Sequence, residues 1–190
     1  KYGGDVAVGA MTILTSVMQF AMLPLQGLGQ GAQPIISYNY GAKNADRVKG
    51  AFKLLLKSSL CYSTILWLGV MLLPGAFAAL FTSDPELLDF TRTALRIYMA
   101  CLLLFGIQVS CQMTFTALGN AKASIVVAVM RKFILLIPLI YIMPMIFRGD
   151  QTTAVYMAEP VADFFAVSFT AGLFNLQFKK SLNQNSGKPP

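Results

Sequence analysis

The chain is 190 residues long, 56% hydrophobic and only 12% charged, with a formal net charge of +7. That charged share is about half of what soluble domains carry, and the charges cluster between long apolar runs, so the composition excludes an ordinary water-soluble fold and asks for lipid as the solvent. The cations sit in short inter-run segments rather than over a surface, which argues against a nucleic-acid partner.

Cys61, Cys101 and Cys111 lie in apolar stretches without a C-x-x-C pair, which argues against a disulfide framework. The absence of histidine removes the commonest general base and metal ligand, so any cation chemistry falls to carboxylates, amides, hydroxyls and carbonyls. No resident cofactor and no metal centre is expected. No convergent nucleophile, base or metal set is present either, and an enzyme is not expected.

A spanning helix needs about 20 mostly apolar residues. Five runs qualify: 6–37, 51–81, 94–118, 123–147 and 154–178. They are long and lack period-two alternation, so the predicted fold is all-α, a polytopic membrane helix bundle. The chain opens on Lys1, with Tyr2-Gly3-Gly4-Asp5 reading as a loop and no signal peptide, and it is expected to start partway through a longer protein.

In the first run, Thr12, Thr15, Ser16, Gln19, Gln26, Gln30 and Gln33 fall within an arc of roughly 100° at helical spacing. This stripe predicts either interhelical hydrogen bonding or a wet cavity, and four glutamines favour the cavity. Gly27 and Gly31 form a G-x-x-x-G at its edge, a close-packing signal. Pro24 and Pro34 are expected to bend the helix.

After the second run, Ser83-Asp84-Pro85-Glu86 carries a helix-start signal that leads into the third run. Arg131-Lys132 reads as a cytoplasmic anchor at the start of the fourth run, and Pro138 and Pro144 as kinks in it. Tyr38, Tyr40, Tyr62, Trp67, Tyr98 and Tyr141 read first as interfacial belt residues, with cavity positions as the alternative.

The fifth run holds the two carboxylates expected at membrane depth, Glu159 and Asp163, four residues apart and so on one face. Buried acids in a bilayer are expensive and usually functional. Pro160 between them has no N–H and leaves the Tyr156 carbonyl without a helical partner, a second candidate group for a coupling ion. Asp163, Glu159, Tyr156, Gln19, Gln26, Gln30 and Gln33 are therefore the candidate ion- or substrate-binding residues, with Na⁺ possible at Asp163 and Glu159. The bland alternative is that Asp163 pairs with a cation.

Lys43, Arg47, Lys49, Lys53, Lys57, Lys122, Arg131, Lys132, Lys179, Lys180 and Lys188 are expected on one side, against Lys1, Arg92, Arg96 and Arg148 on the other. The positive-inside rule then puts the N-terminus outside and the C-terminus in the cytoplasm. Residues 1–182 form the membrane region, and the polar tail 183–190 is expected to be disordered.

The stretch from Gly29-Gln30-Gly31-Ala32-Gln33-Pro34 through Ser37-Tyr38-Asn39-Tyr40-Gly41-Ala42-Lys43 closely resembles a signature of multidrug and toxic compound extrusion transporters. Ala117-Leu118-Gly119-Asn120-Ala121-Lys122-Ala123-Ser124 is similar to the family's loop between its tenth and eleventh helices. Arg131 followed by Ile137-Pro138, and Glu159-Pro160-Val161-Ala162-Asp163, fit the next two helices. The family often has Arg-Gln where this chain has Arg131-Lys132, and Phe-Gln-Ala-Leu-Gly where it has Phe115-Thr116-Ala117-Leu118-Gly119.

The resemblance implies helices eight to twelve of a twelve-helix, two-lobed transporter, so part of one lobe, with the N-terminal lobe as a missing partner. It implies a multi-pass protein of the cell membrane, for bacteria the inner membrane. It also implies antiport of Na⁺ or H⁺ against amphipathic, often cationic, drugs or toxins. A lipid-linked precursor flippase of the same broad superfamily, with a strongly cationic cavity, and a non-transporting membrane fragment are the alternatives.

Overall fold

The computed structural model describes residues 4–147, 149 and 151–185. Lys1, Arg148, Asp150, Lys188 and residues 186–190 of the expected disordered tail 183–190 lie outside the described residues, while its residues 183–185 are helical and end the last helix. Among those described the chain is helical: α1 (Gly4–Gly41), α2 (Ala45–Leu72), α3 (Pro74–Ala79), α4 (Pro85–Tyr98), α5 (Phe105–Ala117), α6 (Ala121–Val129), α7 (Ile137–Ile146) and α8 (Gln151–Asn185). A 3₁₀ turn, Leu102–Leu104, precedes α5, and a π-helical segment, Met130–Leu136, joins α6 to α7.

Among the described residues four continuous helices are long and apolar enough to cross a bilayer, and α4 with the 3₁₀ turn and α5 is long and apolar enough only as a pair, bent by 44°. Large apolar side chains stay on the outside, including Phe20, Leu54, Ile65, Phe133, Ile134 and Leu176. Such exposure is costly in water and free in hydrocarbon, so the outer surface identifies lipid as the surrounding medium.

Inside, α1 packs Leu14, Val17, Ala21 and Leu25 against Tyr98, Met99, Leu102 and Phe105. With lipid outside, these contacts are held by close packing rather than by escape from water. Gly106 permits one such approach, because a Cβ there would meet the Ser59 carbonyl at 2.8 Å and the Leu60 nitrogen at 2.9 Å. Gly27 and Gly31 make no close packing within this chain, since an added Cβ at either meets nothing within 4 Å. The α1 glycines that do approach a neighbour are Gly29, facing Met113 of α5, and Gly9, where an added Cβ would meet Leu87 of α4 at 3.4 Å.

Helix boundaries depart from the predicted runs where the backbone lacks a donor or gains an outside one. The second run ends at Leu72 and not at residue 81, because Pro74 cannot continue the ladder and starts α3 as its first residue. The third begins at Pro85, where Asp84 Oδ1 accepts from the Glu86 N–H at 3.1 Å, and it breaks after Tyr98. The break carries no proline or glycine. Its freed carbonyls are met from α2: Trp67 Nε1–H donates to Ala100 O at 2.9 Å, and the Ser63 hydroxyl to Leu103 O at 3.0 Å. In lipid such groups need a protein partner. Tyr62 donates to Ala21 O at 3.2 Å, so the aromatic pair read as belt residues braces helices.

Ile36 of α1, Val48 and Leu55 of α2, Leu118 after α5 and Leu182 of α8 pack together. The segments carrying Lys43, Lys122 and Lys179 therefore share one end of the bundle.

Candidate functional site

Arg131 is not at a helix start. It lies ten residues after Ala121 in a helical run that continues to Ile146, about 15 Å along it. The reading of Arg131-Lys132 as a cytoplasmic anchor is corrected: both residues stand mid-span. The local backbone explains how. Pro138 lacks an N–H, and its ring would clash with the carbonyl four residues back. The helix widens instead, and the Ile137 N–H reaches Lys132 O, five residues back. Such a π-turn shifts the register of the residues before it, and π-turns recur at functional sites.

Arg131 Nε donates to Asp163 Oδ1 at 2.6 Å, and its Nη2 reaches Glu159 Oε1 at 3.4 Å. The guanidinium lies 4.7 Å from the Phe105 ring centroid. Asp163 is 2% exposed, so this is a charge pair in low dielectric with an aromatic floor. The cation pairing noted as the bland alternative for Asp163 is present. The second oxygen, Asp163 Oδ2, is buried and has no hydrogen-bond partner among the described residues.

A cavity of about 360 Å³ opens beside the triad, lined by Thr15, Gln19, Gln26, Arg131, Lys132 and Glu159, with Met18, Met22, Leu23, Tyr98 and Phe105 as its apolar part. The predicted stripe thus divides. Gln19 and Gln26 share a cavity with Glu159. Gln30, exposed, and Gln33, half-buried, are not among its lining residues. Thr12, Thr15 and Ser16 turn their hydroxyls back onto α1 carbonyls at 2.8–3.1 Å.

Tyr156 is buried away from this cavity, and its hydroxyl donates to Ala7 O at 2.8 Å, pinning α8 to α1. It borders a second cavity of about 620 Å³ between α1, α7 and α8, lined also by Thr12, Thr15, Tyr141 and Thr152.

Sequence reasoning missed Arg131, Lys132 and Phe105 as site residues and read Tyr98 first as a belt residue, with the cavity as the alternative. The usable signal was depth. Two acids inside a span need a counter-charge, and Arg131 lies eight residues into the predicted fourth run, too deep for an interfacial anchor.

Comparison with known proteins places this architecture. Residues 1–142 match the MatE family. The multidrug export protein MepA of Staphylococcus haemolyticus (strain JCSC1435) is 25% identical over 173 residues, covering 90% of this chain and 38% of the relative. The solved structure of the MATE multidrug transporter DinF-BH is 32% identical, with a TM-score of 0.80, covering 95% of this chain and 39% of that one. MATE in complex with MaD3S has a TM-score of 0.85 at 17% identity, a likeness of fold alone. The chain spans less than two fifths of the length of these proteins.

Proposed function

The chain belongs to the MatE family, and from that premise we propose that the full-length protein exports amphipathic compounds, cationic drugs among them, by antiport against Na⁺ or H⁺. This chain supplies part of one lobe, and the two lobes rock around a midplane site. The observation that carries the reading is the Arg131–Asp163–Glu159 triad with its adjoining cavity, because charge at bilayer depth is expensive and marks ion or substrate paths.

In this reading Asp163 and Glu159 hold the coupling ion, and Gln19 and Gln26 contact substrate. Gln30 and Gln33 extend the polar track toward the end bearing Lys43. The Tyr156 carbonyl, freed by Pro160, is an additional oxygen. The partnerless Asp163 Oδ2 favours H⁺, since one oxygen suffices for a proton, whereas Na⁺ needs several and is repelled by the adjacent guanidinium.

The same reading sets the protein in the cell membrane with its C-terminus cytoplasmic, a bacterial inner membrane being the expected one. With Arg131 and Lys132 moved to mid-span, the loop cations of the two sides still differ in that direction. Collapsing the proton and sodium gradients separately in vesicles holding the full-length protein tests coupling. Efflux is expected to stop with one gradient and persist without the other. Efflux indifferent to both would overturn it.

The flippase for lipid-linked precursors is a second reading, favoured by Arg131 and Lys132 standing at a cavity wall and not in loops. Movement of a lipid-linked substrate without drug efflux would select it. A non-transporting fragment is the third.

A further inference from the structure

A groove of about 1100 Å³ runs between α1 and α2 and shares no lining residue with the triad's cavity. Its α1 wall, from Pro24 to Asn39, is about 22 Å long at roughly 1.5 Å per residue. One leaflet contributes about 15 Å of hydrocarbon, half of the bilayer core. Gly27, Gly31 and Gly50 keep the groove deep, since an added Cβ at any of them meets nothing within 4 Å. Leu28, Ile35 and Leu54 are exposed along it.

Charge collects at the end of the groove where Arg47 stands. Between Asn39 and Tyr62 the chain has five cations, Lys43, Arg47, Lys49, Lys53 and Lys57, against a single acid, Asp46. Asp46 is held by Lys49 at 3.8 Å. Arg47, Lys53 and Lys57 are exposed and have no ion-pair partner among the described residues. Lys53 and Lys57 follow Gly50 by three and seven residues, so they border the groove on its α2 side. Asn39 Nδ2 donates to Ile35 O at 2.8 Å, and Asn44 Oδ1 accepts from the Arg47 N–H at 3.3 Å. The Arg47 guanidinium is thus the uncommitted donor at the mouth.

A convex helix surface touches a lipid chain on one side, whereas a groove between two helices touches it on both and gains more dispersion contact. A basic cluster at the bilayer edge attracts anionic headgroups, and a guanidinium matches a phosphate with paired donors. Here the two features lie end to end. We propose that the α1–α2 groove is a docking site for an anionic phospholipid. Arg47 binds its phosphate, Lys53 and Lys57 snorkel to the headgroup level, and an acyl chain lies along Leu28, Ile35 and Leu54. The lipid is a resident partner and not cargo, because the groove is separate from the triad's cavity. The proposal needs the membrane placement only, and it stands or falls apart from the exporter reading.

The test titrates delipidated full-length protein in a neutral detergent with phosphatidylglycerol, phosphatidylcholine or glycerol 3-phosphate, and reads the melting temperature. Phosphatidylglycerol is expected to raise it by several degrees more than phosphatidylcholine does, as a ligand of the folded state must. Glycerol 3-phosphate, the headgroup anion without chains, should leave it unchanged. Arg47→Gln is expected to move the phosphatidylglycerol midpoint to about fivefold higher concentration, and Lys53→Gln to move it in the same direction. Gly31→Leu fills the groove, so it should abolish the phosphatidylglycerol increment while the lipid-free melting temperature stays that of the wild type. Equal shifts with the two lipids, or a titration that neither Arg47→Gln nor Gly31→Leu alters, overturn the site. An equal shift with glycerol 3-phosphate overturns it in favour of a free anion. A lipid-free melting temperature lowered by several degrees in Gly31→Leu overturns it in favour of a protein segment occupying the groove.

Discussion

Arg131 is the residue on which the polar interior turns. Its three neighbours, Asp163, Glu159 and Phe105, come from two other elements, at sequence separations of 26 to 32 residues. Removing one member of a buried charge pair leaves the other uncompensated, at a cost of about 3–5 kcal/mol. Arg131→Gln is therefore expected to lower the melting temperature of the full-length protein in detergent by several degrees. Adding Asp163→Asn should recover part of the loss, as coupled positions do. Additive losses would mean that the pair contributes nothing. The acids and the α1 glutamines were legible because both follow from residue type and spacing alone. Their counter-ion was not, since a rule that assigns Arg-Lys to membrane edges was applied before depth was counted.

At the scale of elements, three of the five crossings followed from hydropathy and two hid irregularities. Pro138 advertised a kink, yet the outcome is a widened π-turn, because the helix can skip the missing donor by bonding five residues back. The break between α4 and α5 had no local signal. It is stabilised by Trp67 and Ser63, more than 30 residues away, and by Gly106, whose lack of a side chain lets α5 lie against the α2 backbone. Gly106→Val should thus be damaging. A branched side chain in contact with backbone cannot be accommodated by rotamer change, and overpacking of this kind costs about 1–3 kcal/mol. Thermal unfolding of the variant beside Gly27→Val checks this. The Gly27 site is open within this chain and is expected to tolerate the change better. Equal losses would show that Gly106 is not the closer approach.

For the molecule as a whole, the outward apolar surface and the gathering of basic segments at one end define a bilayer-embedded body with sidedness. Single cysteines at Lys43 and at Ser83, introduced into full-length protein lacking its native cysteines, report that sidedness. A membrane-impermeant maleimide is expected to label Ser83→Cys from outside intact cells and Lys43→Cys only after permeabilisation. The reverse pattern would invert the topology. The fold class was readable because lipid imposes long helices. The lining of the Arg131 cavity was only half readable, since it depends on which side chains from separate helices meet. The most direct test of the mechanism is gradient-driven efflux from vesicles by the full-length Asp163→Asn protein at matched incorporation. The Arg131-paired acid as coupling site predicts efflux reduced by about tenfold or more, corresponding to at least 1.36 kcal/mol. Efflux at the wild-type rate, still driven by the same gradient, would contradict it.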